Sequence, residues 1–171
     1  ATSPSRPPWA PDAFAAAFHA HRTPLVRYVA GIVGDGAAAH DLVQDVFADL
    51  WTDGHDPSRP IRPLLYAMAR NRALNHVRNR RRREEKHVEI LAETETSTEP
   101  TTTLDANALK TRLAGWIRAL PTRQREALTL TRFHDLSHEE AATTMGLSPR
   151  TVNNHLVRAL ATLRAHLDAS R

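Results

Sequence analysis

The stretch "SHEEAATTMGLSPRTVNNHLVRAL", Ser137 to Leu160, decides the architecture. Ser137 followed three residues later by Glu140 is a capping box, in which a hydroxyl and a carboxylate each satisfy an amide at the start of a helix. That helix stops at Gly146, a residue suited to a left-handed terminus. Ser148 and Pro149 open another helix at once, a cap followed by proline at the first helical position. A short helix, a tight glycine turn and a second helix make a helix-turn-helix. In the second helix Val152, Leu156, Leu160, Leu163 and Leu167 are read as facing inward. Arg150, Asn153, Asn154, Val157 and Arg158 are left outward at its N-terminal end, the part of such a helix that enters a major groove. A helical hairpin that only packs has no need of amides and guanidiniums there, whereas base edges are read by those groups.

Outward from this motif the chain keeps the same character. Glycine is scarce, alanine and leucine are plentiful, and no stretch shows the sustained alternation rich in β-branched residues that a strand needs. The fold class expected is all-α: two small helical domains joined by a flexible acidic linker. Charge divides the 171 residues the same way. Residues 1–83 carry 12 Arg against 7 acids, residues 84–106 one Lys against 7 acids, and residues 107–171 10 basic side chains against 5 acids. The expected divisions are a disordered N-terminal arm at 1–11, a first helical domain at 12–83, the linker at 84–107 and a second helical domain at 108–171. The linker, rich in Glu and Thr with little to bury, reads as a flexible tether.

In the first domain Asp12 is read as capping a helix that carries Phe14 and Phe18. Thr23-Pro24 is read as the cap and first position of a second helix, with Leu25, Tyr28, Val29 and Ile32. Gly34-Asp35-Gly36 breaks the chain. A third helix is expected from about Ala37 to Trp51, a loop at TDGHDPSRP, and a fourth helix from about Ile61 into the four arginines that end at Arg83. At 100° per residue Tyr66, Ala69, Ala73 and Val77 of that helix lie within about 80°, and Asn71, Asn75, Arg78 and Arg82 gather within about 60° on the other side. No acid occurs from Leu64 to Arg83. A solvated face ordinarily mixes Glu with Lys, whereas guanidiniums grip phosphates and stack on bases, and amides bond base edges. The third helix is opposite in kind. Val43, Val46, Phe47 and Leu50 form its buried stripe, and Asp41, Gln44, Asp45 and Asp49 lie together outside it with no basic residue between Asp41 and Trp51. Phosphates would be repelled there, and a basic protein partner would be attracted.

With these pieces in order, the chain resembles a bacterial RNA polymerase sigma factor of the extracytoplasmic-function group in the sigma-70 family. "DLVQDVFADLW" is similar to that family's core-polymerase-binding segment. "LLYAMARNRALNHVRNRRRR" is similar to its region for recognising and melting the −10 element. "LPTRQREALTLTRFHDLSHEEAATTMGLSPRTVNNHLVRALATLR" is similar to its −35-binding region. The resemblance covers about residues 12–83 and 108–167. It implies that Asp41, Gln44, Asp45 and Asp49 dock on the clamp helices of the polymerase's largest subunit, and that the flap of the second-largest subunit is a further contact. It implies that Arg70, Asn71, Asn75, Arg78 and Arg82 hold −10 DNA, with a base pocket in the loop from Asp53 to Pro60. Arg150, Thr151, Asn153, Asn154, Val157 and Arg158 would read the −35 major groove. The linker would thread toward the active cleft and out through the RNA exit channel, its charge standing in for RNA. Promoter DNA and core polymerase are the partners implied, and an anti-sigma factor is an admissible third. Leu64 stands where the family often has Trp, and the loop before it is short and proline-rich (Pro57, Pro60, Pro63), so −10 specificity is not carried over. Ala141 and Thr144 stand where larger aliphatics are usual, which implies a looser second domain or one buttressed by its partner.

Other classes find less support. A free-standing helix-turn-helix regulator is the alternative, yet residues 12–83 carry no α/β pattern for a receiver domain. No enzymatic activity and no cofactor or metal is expected: His19 and His21 share no helical face, and His134 and His138 straddle the turn before the capping box. No phosphate-binding glycine loop or nucleophile motif occurs. With no cysteine and no apolar run near the roughly 18 residues of a membrane span, a cytoplasmic location is expected.

Overall fold

The computed structural model describes residues 9–53, 55–56, 59–88 and 106–170, and the regular structure of these residues is helical throughout. The chain divides into two compact units, Ala1–Ile90 and Leu91–Arg171.

The first unit is built from α1 (Pro11–Val33), α2 (Gly36–Asp53) and α3 (Ile61–Val88), each packed on the other two. Two expected helices are one in α1. Pro11, not Asp12, stands at the start of the helix, after Ala10, and Thr23-Pro24 lies inside it. Proline has no amide to donate, so the bond to the carbonyl four residues earlier is lost. The helix continues because its apolar stripe continues: Phe14 and Phe18 lead into Leu25, Tyr28, Val29 and Val33, the last four buried. Burial of each such side chain is worth about 1.5–3 kcal/mol, enough to offset the proline. The expected break at Gly34 is present, with Gly34 at φ 74° closing α1 through its amide to the Ala30 carbonyl. Asp35 then opens α2 by accepting from the Ala37 and Ala38 amides at 2.8 and 3.3 Å.

The core beneath these helices contains Leu25, Val29, Val43, Val46, Phe47, Leu50, Leu65 and Tyr66, all nearly inaccessible. An aromatic cluster caps one end. Phe14 meets Trp51 edge-on at 4.8 Å, Phe18 meets Phe47 at 4.9 Å, and Trp9 stacks on His55 at 5.9 Å. Trp9 and Ala10 were expected in a disordered arm, but Trp9 is half-buried because the indole has this cluster to cover. Residues 1–8 of the expected arm lie outside the described residues. At the other end α3 extends five residues past Arg83, to Val88, into the stretch read as linker. Arg80 pairs with Glu84 one turn on, at 3.5 Å, a spacing that favours continued helix. Residues 89–105 of the expected linker are outside the described residues.

The second unit contains α4 (Ala106–Ala119), α5 (Thr122–Leu128), a π-helical turn (Thr129–Phe133), α6 (His138–Met145) and α7 (Pro149–Ala169). Leu120, Leu128, Leu156 and Ala159 form its core cluster, with Ile117 and Leu163 packed against it. Trp116 stacks on His166 at 5.6 Å and so ties α4 to α7. The Arg125 guanidinium donates to the Arg118 carbonyl at 2.6 Å, closing the end of α4. On α7, Val152 and Leu156 are buried as expected, but Leu160 and Leu167 are about 40% exposed and Ala159 takes the inward place. The correction is geometric: Val152, Leu156 and Ala159 follow the four-then-three spacing of a helix face, whereas unbroken steps of four carry Leu160 off it.

Candidate nucleic-acid and protein-docking surfaces

Each surface read from sequence can be followed to its elements. The helix-turn-helix is α6 and α7. Ser137 Oγ accepts from the Glu140 amide at 3.1 Å and Glu140 Oε2 accepts from the Ser137 amide at 2.9 Å, which completes the capping box. Gly146 at φ 65° ends α6, and its neighbour's amide, Leu147 N–H, reaches back to the Ala142 carbonyl at 3.0 Å. A side chain at Gly146 would be strained in this left-handed conformation. Ser148 Oγ accepts from the Thr151 amide at 3.1 Å and so starts α7. Ala141 and Thr144, smaller than expected for a tight pair, are both buried, and the Thr144 hydroxyl is satisfied by the Glu140 carbonyl at 2.9 Å.

On α7, Arg150, Asn153, Asn154, Val157 and Arg158 are exposed and Thr151 is half-exposed. Val157 is 57% exposed. An apolar side chain left open among amides and guanidiniums suits contact with a thymine methyl beside hydrogen-bonded base edges. The six residues lie on the solvent side of the first three turns of α7.

On α3, Asn71, Asn75, Arg78 and Arg82 are all exposed, and Arg70 is half-buried beside them. The Arg78 guanidinium donates to Asn75 Oδ1 at 3.4 Å, so the amide and guanidinium are within reach of one ligand. The arginine run is not uniform. Arg80 donates to the Val33 carbonyl at 3.0 Å and thereby caps the C-terminal end of α1. Arg80 nonetheless keeps about half its side chain exposed, and Arg81, Arg82 and Arg83 are exposed as well. The loop between α2 and α3 is partly described: His55 contacts the Arg59 carbonyl through Nε2 at 2.8 Å, and the Arg59 amide donates to the Asp56 carbonyl at 3.0 Å.

On α2, Asp41, Gln44 and Asp45 are exposed and Asp49 is half-buried. Sequence reasoning missed Arg72, which reaches across from α3. Its guanidinium bonds Asp49 and stands 3.5 Å from Asp45, so the face contains a cation that the sequence of α2 does not show. The signal was present in Arg72 itself, one position off the amide stripe of α3, but only the packing of α3 on α2 reveals its partners. Also missed was the π-helical turn, in which one extra residue per turn buries Leu130 while Phe133 is left 59% exposed. Among the described residues no three His, Asp or Glu side chains converge as metal ligands, and no helix is long and apolar enough to cross a membrane.

Comparison with known proteins agrees with the two-unit division. The family described as Sigma-70 region 2 matches residues 17–83, and that described as Sigma-70, region 4 matches residues 111–163. The chain is 34% identical over 139 residues to the RNA polymerase sigma factor CnrH of Cupriavidus metallidurans, covering 75% of this chain and 73% of that protein. It is 30% identical over 159 residues to the ECF RNA polymerase sigma factor RpoE of Cereibacter sphaeroides, covering 91% and 86%. Among solved structures, CnrH in complex with the cytosolic domain of CnrY superposes with a TM-score of 0.65 at 27% identity, over 95% of this chain and 92% of that one. The fold is also that of RpoE bound to the anti-sigma factor NepR from Bartonella quintana, with a TM-score of 0.69 at 23% identity over 92% and 98%. The chain therefore belongs to the sigma-70 family, as a sigma factor of the extracytoplasmic-function group that recognises promoters for RNA polymerase.

Proposed function

We propose a division of labour among the three surfaces of this sigma factor. The acidic face of α2 docks on the clamp helices of the polymerase's largest subunit through Asp41, Gln44 and Asp45, with Asp49 at its edge and shared with Arg72. Arg70, Asn71, Asn75, Arg78 and Arg82 on α3 hold the −10 element as it opens, beside a base pocket in the preceding loop. Arg150, Thr151, Asn153, Asn154, Val157 and Arg158 on α7 read the −35 element, and the second unit also meets the flap of the second-largest subunit. An anti-sigma factor is a further partner, by analogy with the RpoE relative solved with one. All of this takes place in the cytoplasm, and the protein acts as an initiation factor without catalytic chemistry of its own.

One observation carries the reading: two adjacent helices of one small unit present faces of opposite charge, Asp41, Asp45 and Asp49 on α2 against Arg78, Arg81 and Arg82 on α3. A single ligand cannot suit both, whereas a basic protein surface and a nucleic acid held side by side can. Reversing Asp41 and Asp45 to Arg is expected to weaken binding to core polymerase with helical content unchanged, by about 2–5 kcal/mol where docking buries the charge pairs. A pull-down in which this double variant competes for core as well as the unmodified protein would refute the docking assignment. Tight, sequence-specific footprints from the protein without polymerase would instead favour a free-standing regulator.

A further inference from the structure

The acidic face of α2 is not equally available along its length. Asp41 is exposed and makes no ion pair among the described residues. Asp45, one turn on, keeps a side chain 61% exposed but has Arg72 Nη1 at 3.5 Å. Asp49, a further turn on, is bonded directly by Arg72 Nη2. The Arg72 side chain is 34% exposed and comes from α3, one residue after Asn71. Its five donors in a fixed fork allow it to serve two carboxylates at once. The bond to Asp49 is close, while 3.5 Å to Asp45 is at the limit of a hydrogen bond, so the second contact is chiefly charge to charge.

We infer that Arg72 is a positioning residue that grades the docking face: it retains Asp49 for the α2–α3 packing and half-neutralises Asp45, so that a cation of the polymerase must compete with it for Asp45 while Asp41 stands open. This rests on the assignment of α2 as the polymerase-docking face. The consequence has a definite sign. Arg72 brings a positive charge to a surface that must attract a basic partner, so its removal makes the face more negative and association stronger, contrary to the loss expected of a residue that merely holds two helices together. Because Asp49 anchors the guanidinium, Arg72 can give up Asp45 without leaving α2, and the amides of α3 keep their place as docking proceeds.

The test uses the full chain and purified core polymerase. Arg72→Met is expected to tighten core binding about two- to fivefold at low salt, the range of one exposed ion pair, and the gain fades as ionic strength rises. Arg72→Lys keeps the charge and is expected to bind core within about twofold of the unmodified protein. Asp45→Asn should cost more in the Arg72→Met background than alone, because Asp45 then faces its partner unshared. Weaker binding by both Arg72 variants would show a structural brace and overturn the inference, as would an equal cost of Asp45→Asn in the two backgrounds. If Arg72→Met does not fold, surface neutralisations decide: Asp41→Asn must weaken binding more than Asp45→Asn, and equality or the reverse order overturns the inference. Unchanged binding by the Asp41 and Asp45 charge reversal is the separate result that removes the docking assignment itself.

Discussion

The two units solve the problem of small size differently. The first buries large side chains, Tyr66, Leu25, Leu50 and Leu65, under three long helices and adds an aromatic cluster at one end. The second sets the short helices α5 and α6 against the long α7, has a core in which alanine recurs (Ala127, Ala141, Ala142, Ala159), and carries explicit caps at Ser137, Gly146 and Ser148. The difference teaches where each unit's definition comes from. In the first, packing of one helix on another overrides the local signal at Thr23-Pro24, while Gly34 and Asp35 still mark the break between α1 and α2. In the second, the helix ends follow their terminal hydrogen bonds closely. It also matches the surfaces carried: a pair of oppositely charged faces on the first, and one exposed face of amides and guanidiniums at the start of α7 on the second.

The largest expected effect tests burial in the first unit. Leu25→Ala should destabilise it by about 2–5 kcal/mol, as for other fully buried leucines, while the same change at exposed Leu160 costs under about 0.5 kcal/mol. Chemical denaturation followed in variants that keep Trp51 or Trp116 alone distinguishes the units. If both transitions move together with Leu25→Ala, the two units are not independent and the contrast breaks.

Next in size are the reading surfaces. Asn153→Ala with Arg158→Ala should impair recruitment to promoters that depend on the −35 element by about 1–3 kcal/mol per lost base contact. Asn71→Ala with Asn75→Ala should leave recruitment intact and yield complexes that open poorly, seen as lost permanganate reactivity of unpaired thymines. The contrast fails if the Asn71 and Asn75 variant opens promoters normally, or if the Asn153 and Arg158 variant binds normally and fails only at opening.

Smaller effects sharpen the contrast in folding. Ser137→Ala removes one capping bond and should cost the second unit about 1 kcal/mol, measured as a shift of its unfolding midpoint. The smallest is a pH effect confined to the first unit. Burial, and then the charge of Arg62, lower the pKa of His21 below its ordinary 6.5. The unfolded chain therefore binds a proton that the folded unit resists, and stability is fully present above about pH 6.5 and falls as pH drops toward the folded value. His21→Gln should flatten that part of the melting-temperature profile between pH 7 and 5. An unchanged slope would show that another group carries it.

How far the sequence could be read follows the same contrast. Caps are local chemistry, so Ser137, Glu140, Gly146 and Ser148 marked their helix ends to the residue. Thr23-Pro24 is equally good local chemistry and misled, because the stripe from Phe14 to Val33 is continuous and only the neighbouring helices reveal that. The spacing of Asn71, Asn75, Arg78 and Arg82 made one exposed face readable without any partner in view. Arg72 was not readable, since its meaning lies in two carboxylates more than twenty residues away. Trp9 was hidden for the same reason: its neighbour His55 lies in the loop after α2.

The bond from Arg80 to the Val33 carbonyl at the end of α1 bears on how the arginine run is weighed against DNA. A cation contributes to salt-dependent affinity by displacing condensed counterions from phosphates, about 0.9 of an ion per phosphate on a duplex and about 0.7 on a single strand. Arg80 is already engaged by the helix end and by Glu84. We expect the run of four arginines to weigh less against phosphates than four unshared cations would, because Arg80 divides its charge between the end of α1 and Glu84.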